Sequence, residues 1–230
     1  AHVFRDLWER VGRVEGVVGS GGVSTLPMSQ FFAWGPITVE GRTPPPGEAF
    51  INADQRVATS RYFQTMDIPL LRGRFFDDHD TTQATRVVII DDHLAQQIFP
   101  NDEPIGRRIK FGDAKSESPR ETIVGVVGRV KQYGLAADAR IALYRPHTQS
   151  PARTLYLAVR TEADPASVAA LVTREIRALD PDLPLSNVRT MGSRIEESLV
   201  RRRFSMILLG LFAALACVLA TIGIYGVMAY

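Results

Sequence analysis

The sequence predicts an α+β fold in which a membrane-proximal β-α unit is split by an inserted α+β subdomain, then followed by a stalk and a transmembrane helix. Three observations predict it. An amphipathic helix with short strands beside it can be read in the first and again in the last third of residues 1–190. The stretch between them is dominated by short apolar strands. The last 27 residues, Phe204 to Tyr230, contain no Asp, Glu, Lys or Arg.

In chain order, Phe4, Leu7, Trp8, Val11 and Val14 form one apolar stripe at helical spacing, so residues 3–14 are expected as a helix that Gly16 ends. A strand is expected over 17–24, loosened by Gly19-Ser20-Gly21-Gly22, and a short one over 37–40. The segment 41–47 is Pro-rich and stiff, and reads as a boundary. Residues 50–59 are extended, and Ser60 is placed to cap a helical turn over 61–66. A strand over 86–90 precedes a short helix that Asp91 or Asp92 caps and Pro100 closes. Strands follow over 107–111, 121–130 and 142–145. Leu155, Leu157 and Val159 alternate as in a half-buried strand over 154–160. Asp164 caps a helix with Pro165 at its first position, and Val168, Leu171, Val172, Ile176 and Leu179 form its apolar face. From about residue 190 a polar amphipathic run enters the uncharged tail without a helix breaker, which predicts one continuous stalk and span.

These readings give a layout. Residues 1–48 and 152–190 form the membrane-proximal unit, 49–151 the inserted distal subdomain, and 191–230 the stalk plus membrane helix. As a helix the uncharged run is roughly 40 Å long, enough for a hydrocarbon core of about 30 Å with some tilt. Phe204, Leu208, Gly210, Phe212, Ala214, Ala216, Ala220, Gly223, Tyr225 and Tyr230 mark the span. Gly210 with Ala214, and Ala216 with Ala220, have the small-residue spacing that lets helices approach in lipid, and the two tyrosines suit an interfacial belt. Arg201, Arg202 and Arg203 stand at the membrane edge, where they bind lipid headgroups or solvate the helix end. No charged-then-apolar leader opens the chain, there is no starting Met, and the sequence reads as a piece with missing segments on both sides.

The net charge of +2 gives no reason to expect nucleic acid as a partner, and the single cysteine, Cys217, excludes an internal disulfide and a Cys-based zinc site. No cofactor or metal is expected. Asp77-Asp78-His79-Asp80 lacks the spacing of a calcium loop and is better read as a solvated loop. Asp91-Asp92-His93 is better read as helix capping. Gly19–Gly22 lacks the ending of a phosphate loop, and no nucleophile elbow or zinc-protease motif is present.

The ordered blocks Ser60–Met66, Ile68–Phe75, Val87–Ile90 with Phe99-Pro100 and Pro104–Arg107, and Ile123–Val127 with Gly134-Leu135 resemble the MacB-like periplasmic core domain. Asp180–Leu185 and Phe212–Tyr230 resemble the entry into an FtsX-like permease region of the duplicated type. Asp67 stands where the family usually has Gly, and Asp91 where it often has Ser. The resemblance implies a permease subunit of an ABC-type system in a bacterial inner membrane, not an enzyme, with residues 1–200 extracytoplasmic. Its implied partners are a cytoplasmic ATPase carrying the Walker motifs this chain lacks, a second permease copy or second half of the same polypeptide, and the lipid bilayer. A membrane helix would precede Ala1 and others follow Tyr230. Two rival readings are a membrane-anchored periplasmic binding or regulatory module without transport activity, and a tethered hydrolase using the Asp77–Asp80 cluster.

Overall fold

The computed structural model describes residues 2–28, 33–44, 47–134, 140–152, 154–181, 183 and 185–228, with the backbone alone for 2–6, 198–206, 218, 223 and 226–227. It divides into two units, Ala1–Val188 and Arg189–Tyr230.

In the first unit the elements run α1 (His2–Val11), β1 (Val17–Val23), β2 (Trp34–Val39), β3 (Ile51–Ala58), α2 (Tyr62–Thr65), β4 (Leu70–Gly73), β5 (Val87–Asp91), α3 (Asp92–Ile98), β6 (Arg108–Phe111), β7 (Arg120–Val127), β8 (Ala142–Pro146), β9 (Tyr156–Thr161) and α4 (Pro165–Leu179). The strands lie in the order β2-β6-β7-β5-β8-β3-β1-β9. Because β2 also pairs antiparallel with β3, the first six strands close into a barrel. Two of its pairings are parallel, β3 with β8 and β5 with β7. Closure removes the free backbone edges that an open sheet exposes.

Strand alternation sorts the side chains. Ile37, Val39, Ile51, Ala53, Val88, Ile90, Ile109, Ile123 and Leu143 fill the barrel. Leu94, Ala95 and Ile98 of α3, with Phe99, join the same core, so the helix that follows β5 closes that end. Outside the barrel, Val87, Ile89, Ala142 and Tyr144 lie under Tyr62 and Phe63 of α2 and under Ile68 and Phe76. Phe63 meets Tyr144 edge-on with ring centroids 5.0 Å apart and stacks on Phe75 at 5.6 Å. A third cluster joins Leu7 and Val11 of α1 to Val168, Val172 and Ile176 of α4, over Leu157 and Val159 of β9. Thus β1 and β9, from the two ends of this unit, pair antiparallel under helices from the same two ends.

Several local expectations change. The Pro-rich segment connects β2 to β3, which are antiparallel neighbours, so it is a hairpin connection; its residues 45 and 46 lie outside the described set. Ile37 and Val39 consequently belong to the barrel core and not to the α1–α4 cluster. Arg61, not Ser60, occupies the N-cap of α2, with no side-chain cap bond. Of the two expected candidates, Asp91 caps α3, accepting from the Leu94 N–H at 2.8 Å. β4 has no alternating pattern and was not anticipated; it is recruited by pairing with β7. Asp164 caps α4 as expected, accepting from the Ser167 N–H at 2.9 Å.

The second unit contains α5, Met191–Met228, one uninterrupted helix of 38 residues. It joins the polar run to the uncharged run without a break, as the absence of Pro predicts. Among the described residues, no helix is long and apolar enough to cross a membrane.

Candidate functional site

The acidic cluster resolves into a loop clamp. Arg74 reaches Asp80 with both guanidinium nitrogens at 2.8 Å, and Asp77 lies 3.2 Å from the same group. Asp80 is buried and also accepts from the Asp77 N–H. The Arg74 hydrogen bonds and the Asp77 N–H outweigh burial and hold the Asp80 carboxyl below its usual pKa. Asp78 and His79 have exposed side chains; the His79 N–H donates to the Asp77 carboxylate at 2.8 Å, and Asp78 stays outside the clamp. Among the described residues, no group of three or more His, Cys, Asp or Glu is placed to hold a metal.

The glycine run is explained by packing. A Cβ on Gly21 would lie 2.6 Å from the Tyr62 Cα, and one on Gly22 would lie 2.6 Å from the Trp8 ring. Glycine therefore lets α2 sit directly on β1.

Two polar constellations were not read from the sequence. The first lies on the outer face of β3. Arg56 and Asp54 are both fully buried; Arg56 donates to the Thr25 carbonyl at 3.1 Å and lies 3.4 Å from Asp54. The Tyr133 hydroxyl donates to Asp54 at 2.5 Å, and burial with that bond pushes the phenol up to about 12. Arg140 stacks over the Trp34 and Tyr133 rings at 5.6 and 5.9 Å. This network ties the segments after β1 and β7 to the barrel wall. Its signal was available: two charges two residues apart in a strand share one face.

The second lies inside the barrel, at the end away from α3. Glu121 has the same strand parity as Ile123 and is buried. Burial raises its carboxyl to about 7, against the opposing fields of Arg145 and Arg86. Arg145 crosses the interior to stack 4.2 Å over the Phe111 ring. These groups form a polar floor to an otherwise apolar barrel.

The residues expected to mark a membrane span divide by what is described. Leu208, Gly210, Phe212, Ala214, Ala216, Ala220 and Tyr225 are all exposed on α5. Arg201, Arg202, Arg203, Phe204 and Gly223 fall in α5 where only the backbone is described, and Tyr230 lies outside the described residues. The seven exposed residues are distributed around the circumference of α5 and are not gathered on one face.

Residues 7–175 match the profile of the family described as the MacB-like periplasmic core domain. The chain is 27% identical over 189 residues to the macrolide export ATP-binding/permease protein MacB of Agrobacterium fabrum, covering 77% of this chain and 28% of that protein. It is 27% identical over 191 residues to the probable syringafactin export ATP-binding/permease protein SyfD of Pseudomonas syringae pv. tomato, covering 77% and 27%. The chain thus spans about a quarter of the length of these relatives. Among solved structures, the periplasmic region of MacB from Actinobacillus actinomycetemcomitans aligns with a TM-score of 0.53 at 16% identity, over 76% of this chain and 73% of that one. The extracellular domain of the noncanonic ABC-type transporter YknZ aligns with a TM-score of 0.50 at 18% identity, over 75% and 81%. Both show a shared mixed α+β fold.

Proposed function

Because the chain belongs to the family of MacB-like periplasmic core domains, we propose that it is the extracytoplasmic core of an FtsX/MacB-type ABC permease subunit together with its following membrane helix. The family match over 7–175 carries the reading, and the uncharged run from Phe204 to Tyr230 supports the membrane part. The partner is a cytoplasmic ABC ATPase, in keeping with the ATP-binding/permease names of the relatives. A second permease copy, or a second half of the same polypeptide, completes the assembly. The domain catalyses no reaction of its own. It couples ATPase-driven helix motion to export or to mechanical signalling, by rigid-body movement between two states. Residues 1–200 stand outside a bacterial inner membrane.

Topology tests this. In the intact gene product, Cys217→Ala is combined with Gln83→Cys, an exposed loop position. A membrane-impermeant maleimide should label the new thiol in intact spheroplasts. Protection until lysis would put the domain in the cytoplasm and defeat the proposal.

A further inference from the structure

We propose that the uncovered outer face of β2, β6 and β7 is a binding site for a phosphoryl anion. The proposal does not depend on the transport reading.

The register assembles the site. Thr38 pairs with Lys110, and Lys110 with Arg120, across three adjacent strands. Two residues along β6, Arg108 pairs with Thr122, and its carbonyl accepts from the Glu40 N–H. Their strand neighbours Val39, Ile109 and Glu121 point into the barrel, so Thr38, Glu40, Arg108, Lys110 and Arg120 share the opposite face. The packing of α2 covers the far side of the barrel, over β5 and β8, and α3 closes one end. The β2–β6–β7 face has no such cover among the described residues. There these five side chains and Ala114 line a cavity of about 170 Å³.

The cavity has a fixed wall. Lys110 donates to the carbonyls of Ala114 and Ser116 at 2.8 and 2.9 Å. Thr38 donates to the Gly112 carbonyl at 3.1 Å, and Ser116 to that of Phe111 at 2.9 Å. The β6–β7 hairpin is thereby held over the strands. Its own Asp113 carboxylate is turned to the Lys115 N–H.

The charge is unbalanced in the anion's favour. Arg108 and Arg120 are exposed, and neither makes an ion pair among the described residues. Lys110 stands directly opposite Arg120, a like-charge cross-strand pair that costs stability unless something neutralises it. Three cations thus face one carboxylate, Glu40. Two unengaged guanidinium forks suit a tetrahedral oxyanion, which offers acceptors to both at once. The volume admits one phosphoryl group with a small substituent. A free phosphate and a phosphodiester headgroup present the same chemistry.

The full chain in detergent micelles is titrated with inorganic phosphate, with chloride at matched ionic strength as the reference. Phosphate should bind saturably and chloride should not. Arg108→Gln and Arg120→Gln should each weaken phosphate about tenfold, the loss expected for one charge-assisted contact. Glu40→Gln should tighten it several-fold, and Lys115→Gln, an exposed cation of the same hairpin outside the cavity, should leave it unchanged. Both arginines are exposed, so these variants should keep the parent circular dichroism. Displacement of phosphate by a short-chain phosphatidylglycerol would identify a phosphodiester ligand, and failure to displace it a free phosphate; both support the site. Phosphate indistinguishable from chloride, or Lys115→Gln as damaging as the arginine variants, would overturn the proposal.

Discussion

Asp91→Asn should remove much of the pH dependence of folding stability. Asp91 is buried at the end of β5, caps α3 through its bond from the Leu94 N–H, and has the Ala142 backbone N–H close enough to favour its charged form. Those N–H groups and the Arg129 charge favour the carboxylate, but burial wins and pushes the carboxyl up from 3.8 to about 7. The folded state therefore holds this proton more tightly than the unfolded chain. From about pH 4 to about pH 7 the folded state binds more protons, so stability falls as pH rises through that window and levels off above it. A displacement of about three units corresponds to an upper bound of ~4 kcal/mol, and partial hydration of the site brings the expected effect to ~2 kcal/mol.

Asparagine keeps an acceptor for the Leu94 N–H, since Asn and Asp cap helices about equally, but cannot ionise. Its amide hydrogens have no ready acceptor in the space of the second oxygen, at a cost of about 1–3 kcal/mol that is the same at every pH. The variant should be the less stable protein near pH 5 and recover ~1 kcal/mol relative to the parent near pH 8, the rest of the effect falling below pH 5. Urea unfolding of both proteins at intervals between those limits reads the effect. Other titrating groups cancel in the difference. Parallel curves for parent and variant would show that Asp91 carries its charge in the fold at no cost.

Four further substitutions test the packing and the loop clamp. Gly21→Ala should destabilise by ~2 kcal/mol or more, because its Cβ would stand 2.6 Å from a backbone atom of α2 and one element must move; thermal unfolding checks this. Asp67→Gly should stabilise by ~0.5–1 kcal/mol, because Asp67 holds a left-handed φ of 58° that glycine adopts freely, and the contact it gives up is an exposed 3.8 Å pair with Arg160. Asp80→Ala should cost ~1–2 kcal/mol by removing the buried acceptor shared by Arg74 and the Asp77 N–H, with Asp77 left as the ion-pair partner of Arg74, whereas Asp78→Ala should change unfolding by less than ~0.5 kcal/mol; urea unfolding checks both.

The helices were legible because their signals are local. Asp164-Pro165 and Asp91 announce caps, and the stripes of α1 and α4 repeat at helical period. The barrel was not legible, because closure rests on the pairing of β2 with β3 and on two parallel pairings between distant segments. No residue type encodes a strand's partner. The same blindness turned a hairpin connection at 41–47 into a boundary. Glu121 and the Asp54–Arg56 pair are a different case. Both could have been seen as charges on a definite face of an apolar strand, but only the closed barrel makes one face an interior and the other a wall under cover. Asp67 is the converse: the family's glycine at that place was read from resemblance, and the positive φ supplies its physical reason.

The barrel and the α1–α4 cluster meet through β3 and the α2 turn, and this bears on how a coupling domain would work. β3 serves both, pairing with β2 and β8 along its length and with β1 only at Val23 opposite Ala58. Around that point the Ser24 N–H donates to the Val57 carbonyl and the Val57 N–H to the Ser24 hydroxyl, the Thr59 N–H donates to the Gly22 carbonyl and the Gly22 N–H to the Thr59 hydroxyl, Arg56 reaches the Thr25 carbonyl and Arg160 the Thr65 carbonyl, while Val23, Leu26 and Tyr156 pack with Tyr62, Phe63 and Tyr144. A closed ring resists shear because each strand is bonded on both sides, whereas the two-stranded β1–β9 extension is bonded on one side of β9 only. Displacement of α1 or α4 is therefore carried into the barrel through β1 and the α2 turn seated on it. The absence of a side chain at Gly21 is what permits that seat, and its absence at Gly22 makes room for the Trp8 ring of α1. A stiff barrel joined to its base through a packed turn seated on both moves as a body when that base is moved, which is the behaviour that rigid-body transmission requires.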